Sequence, residues 1–263
     1  MINFKQISRI ENDDLILIIS EKNKPYKDDL NILKSVILKS YSNFSVIENN
    51  KRIKPSTYSS VEKKTLQSLY GSQTRTAKEV IRSIIDNLDA KHDSRCLYCG
   101  IGEYEEIDHY LPKEHFPEYS ILFKNLIPIC GKCNKIKGDK IPGTTIDYLH
   151  MTYDIIPLEQ YLSLDITFNI KTPILNFNIK TKYNGSLIEN HIVSLKLIER
   201  YNKKGVQYIL RIKALYDQYG EKYAIEELER NDLETSEFYG SNFWKSVLIR
   251  KLKEINYIKD YCI

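Results

Sequence analysis

The chain has 263 residues, with 39 Lys and Arg against 35 Asp and Glu, a formal net charge of +4. Hydrophobic residues at 42% and charged residues at 28% are the composition of a folded globular protein, not of a disordered chain. The longest apolar runs, such as residues 15–19, fall far short of the roughly 20 residues a membrane span needs, and the opening MINFKQISRIENDD lacks a signal-peptide apolar region, so a cytoplasmic protein without a membrane role is expected.

Within residues 1–24 the run LILIIS fits a short buried strand. Residues 28–44 place Leu30, Leu33, Ile37, Leu38 and Tyr41 at helical spacing. KRIKPSTYSS, with Pro55 and its cluster of hydroxyls, reads as a loop. A second helical stretch starts at Ser59 or Ser60 with Glu62 in its first turn, and Gly71 is expected to break or kink it. It leads into a cysteine-bounded module, described below. Residues 164–180 alternate apolar and polar around Thr172-Pro173, the pattern of two short strands. Helical spacing returns after Ser186, with a break expected at Gly205, and helices near 221–230 and 236–260 close the chain. The expected fold class is α+β, predominantly helical. A mainly helical region over 1–90 and a strand pair with helices over 146–263 flank a small module over 91–145.

Four of the five cysteines form two pairs, Cys96-x2-Cys99 and Cys130-x2-Cys133, leaving Cys262 near the end. Paired knuckles of this kind in a chain without a secretion signal read as a four-cysteine zinc site. A redox CxxC needs only one pair and a βαβ setting, which the pattern lacks. Between and just after the knuckles lie Asp108-His109, then Asn125-Leu126, then Asn134 directly after Cys133, then Lys137-Gly138.

In residue types, order and spacing this segment resembles the HNH endonuclease family in its zinc-knuckle form. The resemblance implies a ββα-metal module, a β-hairpin followed by a helix around one catalytic cation. Phosphodiester hydrolysis needs a deprotonated water in line with the leaving group and neutralised charge on the phosphate. A histidine neutral near pH 7 can take the water's proton. A carboxylate with an amide oxygen can hold a hard cation such as Mg²⁺ or Mn²⁺. On that logic His109 is the general base, and Asp108 and Asn134 are the cation ligands. Asn125 holds the loop that orients the base, and Cys96, Cys99, Cys130 and Cys133 close a structural zinc site. Asn134 also fits an ordinary helix N-cap. Lys135, Lys137 and Lys140 are candidate phosphate contacts.

The strings EIDHYLPK, FPEYSIL and NLIPICGKCNKIKG are further similar to the PtuB-like HNH subunits of Septu and retron antiphage systems. That likeness implies an ABC/SMC-like ATPase partner. Three functions follow: a metal-dependent DNA endonuclease, an RNA-cleaving effector with the same site, or a non-catalytic zinc module binding nucleic acid or protein. The resemblance puts DNA before RNA as the nucleic-acid partner, and the charge pattern suits a metal beside a phosphate track of either kind. Residues 51–82 carry eight Lys and Arg against two Glu, 96–120 one Lys against six acids, and 121–145 five Lys against one Asp. Lys63, Lys64 and Arg75 in the basic approach are therefore candidate nucleic-acid contacts.

Overall fold

The computed structural model describes residues 11–44, 53–86, 88, 94–143, 147–169 and 172–262. Lys51 and Arg52, counted in the basic approach, and the first ten residues lie outside them. The described chain divides into two compact units. One takes 11–98 and 102–155; the other takes 99–101 and 156–262.

The first unit begins with helices α1 (Glu11–Glu21), α2 (Tyr26–Asn43), α3 (Ser60–Gly71) and α4 (Arg75–Asp86). The run LILIIS is thus helical, not a strand. Its burial explains why: Leu15, Ile18 and Ile19 are buried while Ile16 and Leu17 are 44% and 52% exposed. That is a helical stripe, and Glu11, Asp13 and Asp14 in the first turn suit the positive end of the helix dipole. In α3, the Ser59 side chain accepts from the Glu62 N–H while Glu62 accepts from the Ser59 N–H. This reciprocal cap is worth on the order of 1 kcal/mol. The helix ends at Gly71, as the sequence indicates.

The cysteine-bounded segment then forms a two-stranded antiparallel hairpin, β1 (Glu106–His109) with β2 (Leu126–Ile129), and a short helix α5 (Gly131–Lys137). Register pairs Glu106 with Ile129 and His109 with Leu126. Helix α1 packs on α2 and α4, and α4 packs on β2. The hairpin therefore gains a core from the preceding helices that its own four-residue strands cannot supply.

The second unit holds the expected strand pair, β3 (Leu162–Phe168) and β4 (Pro173–Ile179), in antiparallel register. Helices α6 (Leu187–Ser194), α7 (Leu197–Tyr219), α8 (Glu221–Tyr239), α9 (Trp244–Glu254) and α10 (Tyr257–Tyr261) follow. The break expected at Gly205 does not occur, for α7 runs through it. The glycine serves close packing instead: a Cβ there would clash with the Leu175 side chain on β4. The chain does break at Gly240, at φ +77°, between α8 and α9.

Candidate active site

Two knuckles frame the site. In the first, the Cys96 N–H donates to the Gly102 carbonyl at 2.8 Å and the Ile101 N–H reaches the Cys99 sulfur at 3.4 Å. In the second, Cys130 caps α5 and its carbonyl accepts from Asn134 at 3.0 Å. The four sulfurs lie within 4.8 Å of one another, and all four residues are buried. Zinc–thiolate bonds of about 2.3 Å in a tetrahedron put sulfurs about 3.8 Å apart, so the cluster fits a zinc ion. Four sulfurs fill such a shell and leave no position for a substrate.

Any site for a substrate must therefore lie outside the cysteine cluster. A cleft of about 310 Å³ is lined by Tyr70, Asp108, His109, Lys113, Asn134 and neighbouring residues of the hairpin and α5. The structure thus brings Asp108, His109 and Asn134 to one concavity. Strand β1 ends at His109, and this end lets adjacent residues share a cleft although neighbours on a strand face opposite ways.

His109 is only 4% exposed. Its Nε2 lies 2.8 Å from the Ser120 carbonyl oxygen. A carbonyl only accepts, so in the neutral ring the proton sits on Nε2 and the lone pair on Nδ1. Burial is the main reason the imidazole pKa falls to about 3; the Ser120 bond opposes the fall, and the Lys113 and Lys137 charges add to it. The ring is therefore neutral at pH 7. The Tyr70 ring meets it edge-on at 4.6 Å, and the Tyr70 hydroxyl donates to the Ile107 carbonyl at 3.0 Å. Ser120 in turn donates its hydroxyl to the Leu66 carbonyl at 2.8 Å, so α3 braces the same residue that orients the imidazole.

Asn125 is fully buried. Its Oδ1 accepts from the Leu111 N–H at 2.8 Å, and its Nδ2 donates to the Leu111 and Tyr119 carbonyls, each at 3.1 Å. It ties Leu111 and Tyr119 together within the loop between His109 and Ser120 and does not line the cleft. Asn134 is not a helix N-cap, since Cys130 holds that place; its amide donates to the Glu106 carboxylate.

Residues 96–140 match the family model described as HNH endonuclease. This segment is an HNH domain. Two curated relatives are similar to parts of the chain. Protein ea31 of Escherichia phage lambda is 29% identical over 144 residues, covering 54% of this chain and 46% of ea31. Septu protein PtuB of Bacillus thuringiensis is 35% identical over 51 residues, covering 18% of this chain and 20% of PtuB. The chain thus spans less than half the length of either relative. No solved structure matches.

Three residues of the HNH domain depart from, or were missing from, the sequence reading. Lys137 is, from the sequence, a candidate phosphate contact or part of a solvated face with Lys135 and Lys140. Instead it is fully buried, with its ammonium 2.8 Å from Asp108 Oδ2 and 2.6 Å from the His109 carbonyl. It cannot meet a nucleic-acid backbone without leaving both. The helical period explains the difference, because Lys137 shares the inner face of α5 with the buried Cys133 while Lys135 and Lys140 lie outside. Lys113 reaches the cleft, its ammonium 5.4 Å from the centre of the Tyr70 ring. Its only signal in the sequence is a cation four residues after the motif histidine. Glu106, two residues before Asp108, had the signal of sharing its strand face.

Outside the cleft, Lys64 and Arg75 are exposed and Lys63 is partly exposed. Arg75 pairs with Glu79 at 3.0 Å. His115 lies 3.8 Å from Asp139 at the surface, and His150 and His191 are buried. Among the described residues no helix is long and apolar enough to cross a membrane.

Proposed function

We propose that the chain is a metal-dependent endonuclease that hydrolyses phosphodiester bonds of DNA, leaving 5′-phosphate and 3′-hydroxyl ends. The observation that carries this is the placement of a neutral, buried, fixed-tautomer His109 in one cleft with Asp108 and Asn134. In this reading His109 takes a proton from water at Nδ1, and the Ser120 carbonyl stabilises the imidazolium that forms. Asp108 and Asn134 offer a carboxylate and an amide oxygen to Mg²⁺ or Mn²⁺, which when bound neutralises charge on the phosphate and the leaving oxygen. Lys137 holds Asp108 in place, and Lys113 at the rim contacts the scissile phosphate. The four-cysteine cluster carries zinc and keeps hairpin and helix together.

The likeness to a protein named for Septu supports a place in antiphage defence, with an ABC/SMC-like ATPase as the partner that directs the nuclease. Plasmid and total RNA, incubated with Mg²⁺, Mn²⁺ or EDTA, with and without the ATPase, test the assignment. Metal-dependent nicking of plasmid is expected. His109→Ala should keep its zinc and lose about 10²- to 10⁴-fold in rate, whereas Cys130→Ser should lose both zinc and activity. Cleavage of RNA alone moves the same site to an RNA effector. No metal-dependent cleavage of either substrate leaves a binding module, and parental cleavage by His109→Ala removes the general base.

A further inference from the structure

Beside Asp108 and Asn134 lies a third polar side chain, Glu106, to which the proposed function assigns no part. Glu106 and Asp108 are two apart on β1 and so share a face of the hairpin. Across from them on α5, Asn134 donates its Nδ2 amide to Glu106 Oε2. A carboxylate only accepts, and an amide has one donating end and one accepting end. The bond therefore settles which way the Asn134 amide faces: NH₂ to Glu106, Oδ1 away from it. Asn134 and Asp108 line the cleft, and Glu106 does not.

A second observation shows that room is kept for this carboxylate. A Cβ at position 131, the first residue of α5, would lie 3.2 Å from Glu106 Oε1 and 3.4 Å from Glu105 Oε2. The glycine between the second pair of cysteines thus leaves the Glu106 carboxylate, and that of Glu105 just before β1, unhindered beside the helix that carries Asn134.

We propose that Glu106 is a positioning residue for the catalytic cation, holding the Asn134 amide so that its oxygen is the end presented for ligation beside Asp108. Asn134 without Glu106 is free to turn its NH₂ to the cleft, which a cation rejects. The role needs a hydrogen-bond acceptor at position 106, not a negative charge there. It rests on Asp108 and Asn134 being the ligands, and the experiment separates the two claims.

The test is Mn²⁺ binding to the zinc-loaded full-length chain, followed by the loss of the free Mn²⁺ electron paramagnetic resonance signal. Glu106→Ala is expected to raise the Mn²⁺ Kd by about tenfold, the lower end of what removing an outer-shell partner does. Glu106→Gln, which retains an acceptor, is expected to stay within about threefold of the parent. In cleavage assays the Glu106→Ala defect should appear mainly in the Mn²⁺ concentration needed and shrink at saturating metal. Parental Mn²⁺ affinity in Glu106→Ala overturns the proposal. So does an equal loss in Glu106→Gln, which makes the charge itself the requirement. If Asp108→Ala and Asn134→Ala both bind Mn²⁺ like the parent, the ligand assignment has failed, and the positioning role fails with it.

Discussion

His109 carries the strongest consequence at the level of single residues. Its imidazole has a folded pKa of about 3 against an ordinary 6.5, chiefly through burial. Below pH 6.5 the unfolded chain takes up a proton that the folded chain refuses. Stability is therefore full above that value and is lost as the pH falls towards 3. The loss is on the order of 2 kcal/mol between pH 6.5 and about pH 5. Melting temperatures at about pH 7.5 and about pH 5 should thus fall further for the parent than for His109→Gln, which has no proton to gain. Parallel falls would show that the imidazole gains a proton as readily in the folded chain as in the unfolded one. Glu118 works the other way. Its carboxyl is buried and its pKa raised by desolvation, and it is common to both proteins and cancels.

The residue pattern also shows what a sequence can and cannot carry. Asp108, His109, Asn125 and Asn134 stand out as candidates because the chemistry proposed for them depends on residue type and order along the chain. Lys137 and Glu106 could not be assigned that way. Each acts through a partner on another element, Asp108 for Lys137 and Asn134 for Glu106, and a lysine three residues after a motif asparagine reads equally as a phosphate contact. Only the direction of the α5 face, set by packing, decides between them.

Among the elements, the β3–β4 pair was legible because alternation and turn residues act locally, whereas the hairpin and α5 followed from the resemblance to the HNH family and not from periodicity. The LILIIS run misleads, because five apolar residues in a row fit either period; which of them face solvent is settled by α2 and α4. Gly205 misleads for the opposite reason. A helical glycine is locally a weak point, worth about 1 kcal/mol against alanine, but here Leu175, Leu248 and Phe177 crowd its missing Cβ. Gly205→Ala should therefore destabilise the chain despite the gain in helix propensity, by about 1–2 kcal/mol net of overpacking. In a Leu175→Ala background the same change should become neutral or stabilising. Urea denaturation of the two single variants and the double variant measures this coupling. Additive effects would mean that Leu175 turns aside without strain.

Taken whole, the molecule is near-neutral, but its charge is sorted along the chain. The acids of 96–120 sit on the knuckle and hairpin that would hold a cation, and the bases of 51–82 precede them. If the described part of that basic stretch tracks a phosphate backbone, DNA affinity falls steeply with salt. Each phosphate contact removed should flatten the log–log slope by about 0.9. Replacing Lys63, Lys64 and Arg75 together by alanine should reduce the slope by about 2–3. Lys222→Ala, at an exposed site on α8, should leave it unchanged. An unaltered slope in the triple variant would place the backbone elsewhere, with Lys113, Lys135 and Lys140 the next to test.

The contacts of α3 with the site bear on where the working part of this protein begins. Tyr70 walls the imidazole, Leu66 holds Ser120, and Gln67 donates to the Lys113 carbonyl at 3.0 Å. All three precede the segment shared with the HNH family, residues 96–140. The motif therefore stops short of the residues that brace the candidate site. A minimal fragment cut at the motif would expose the imidazole to water and let its pKa climb back towards that of an ordinary histidine. Anyone transplanting the motif into a new scaffold would have to supply a substitute for α3.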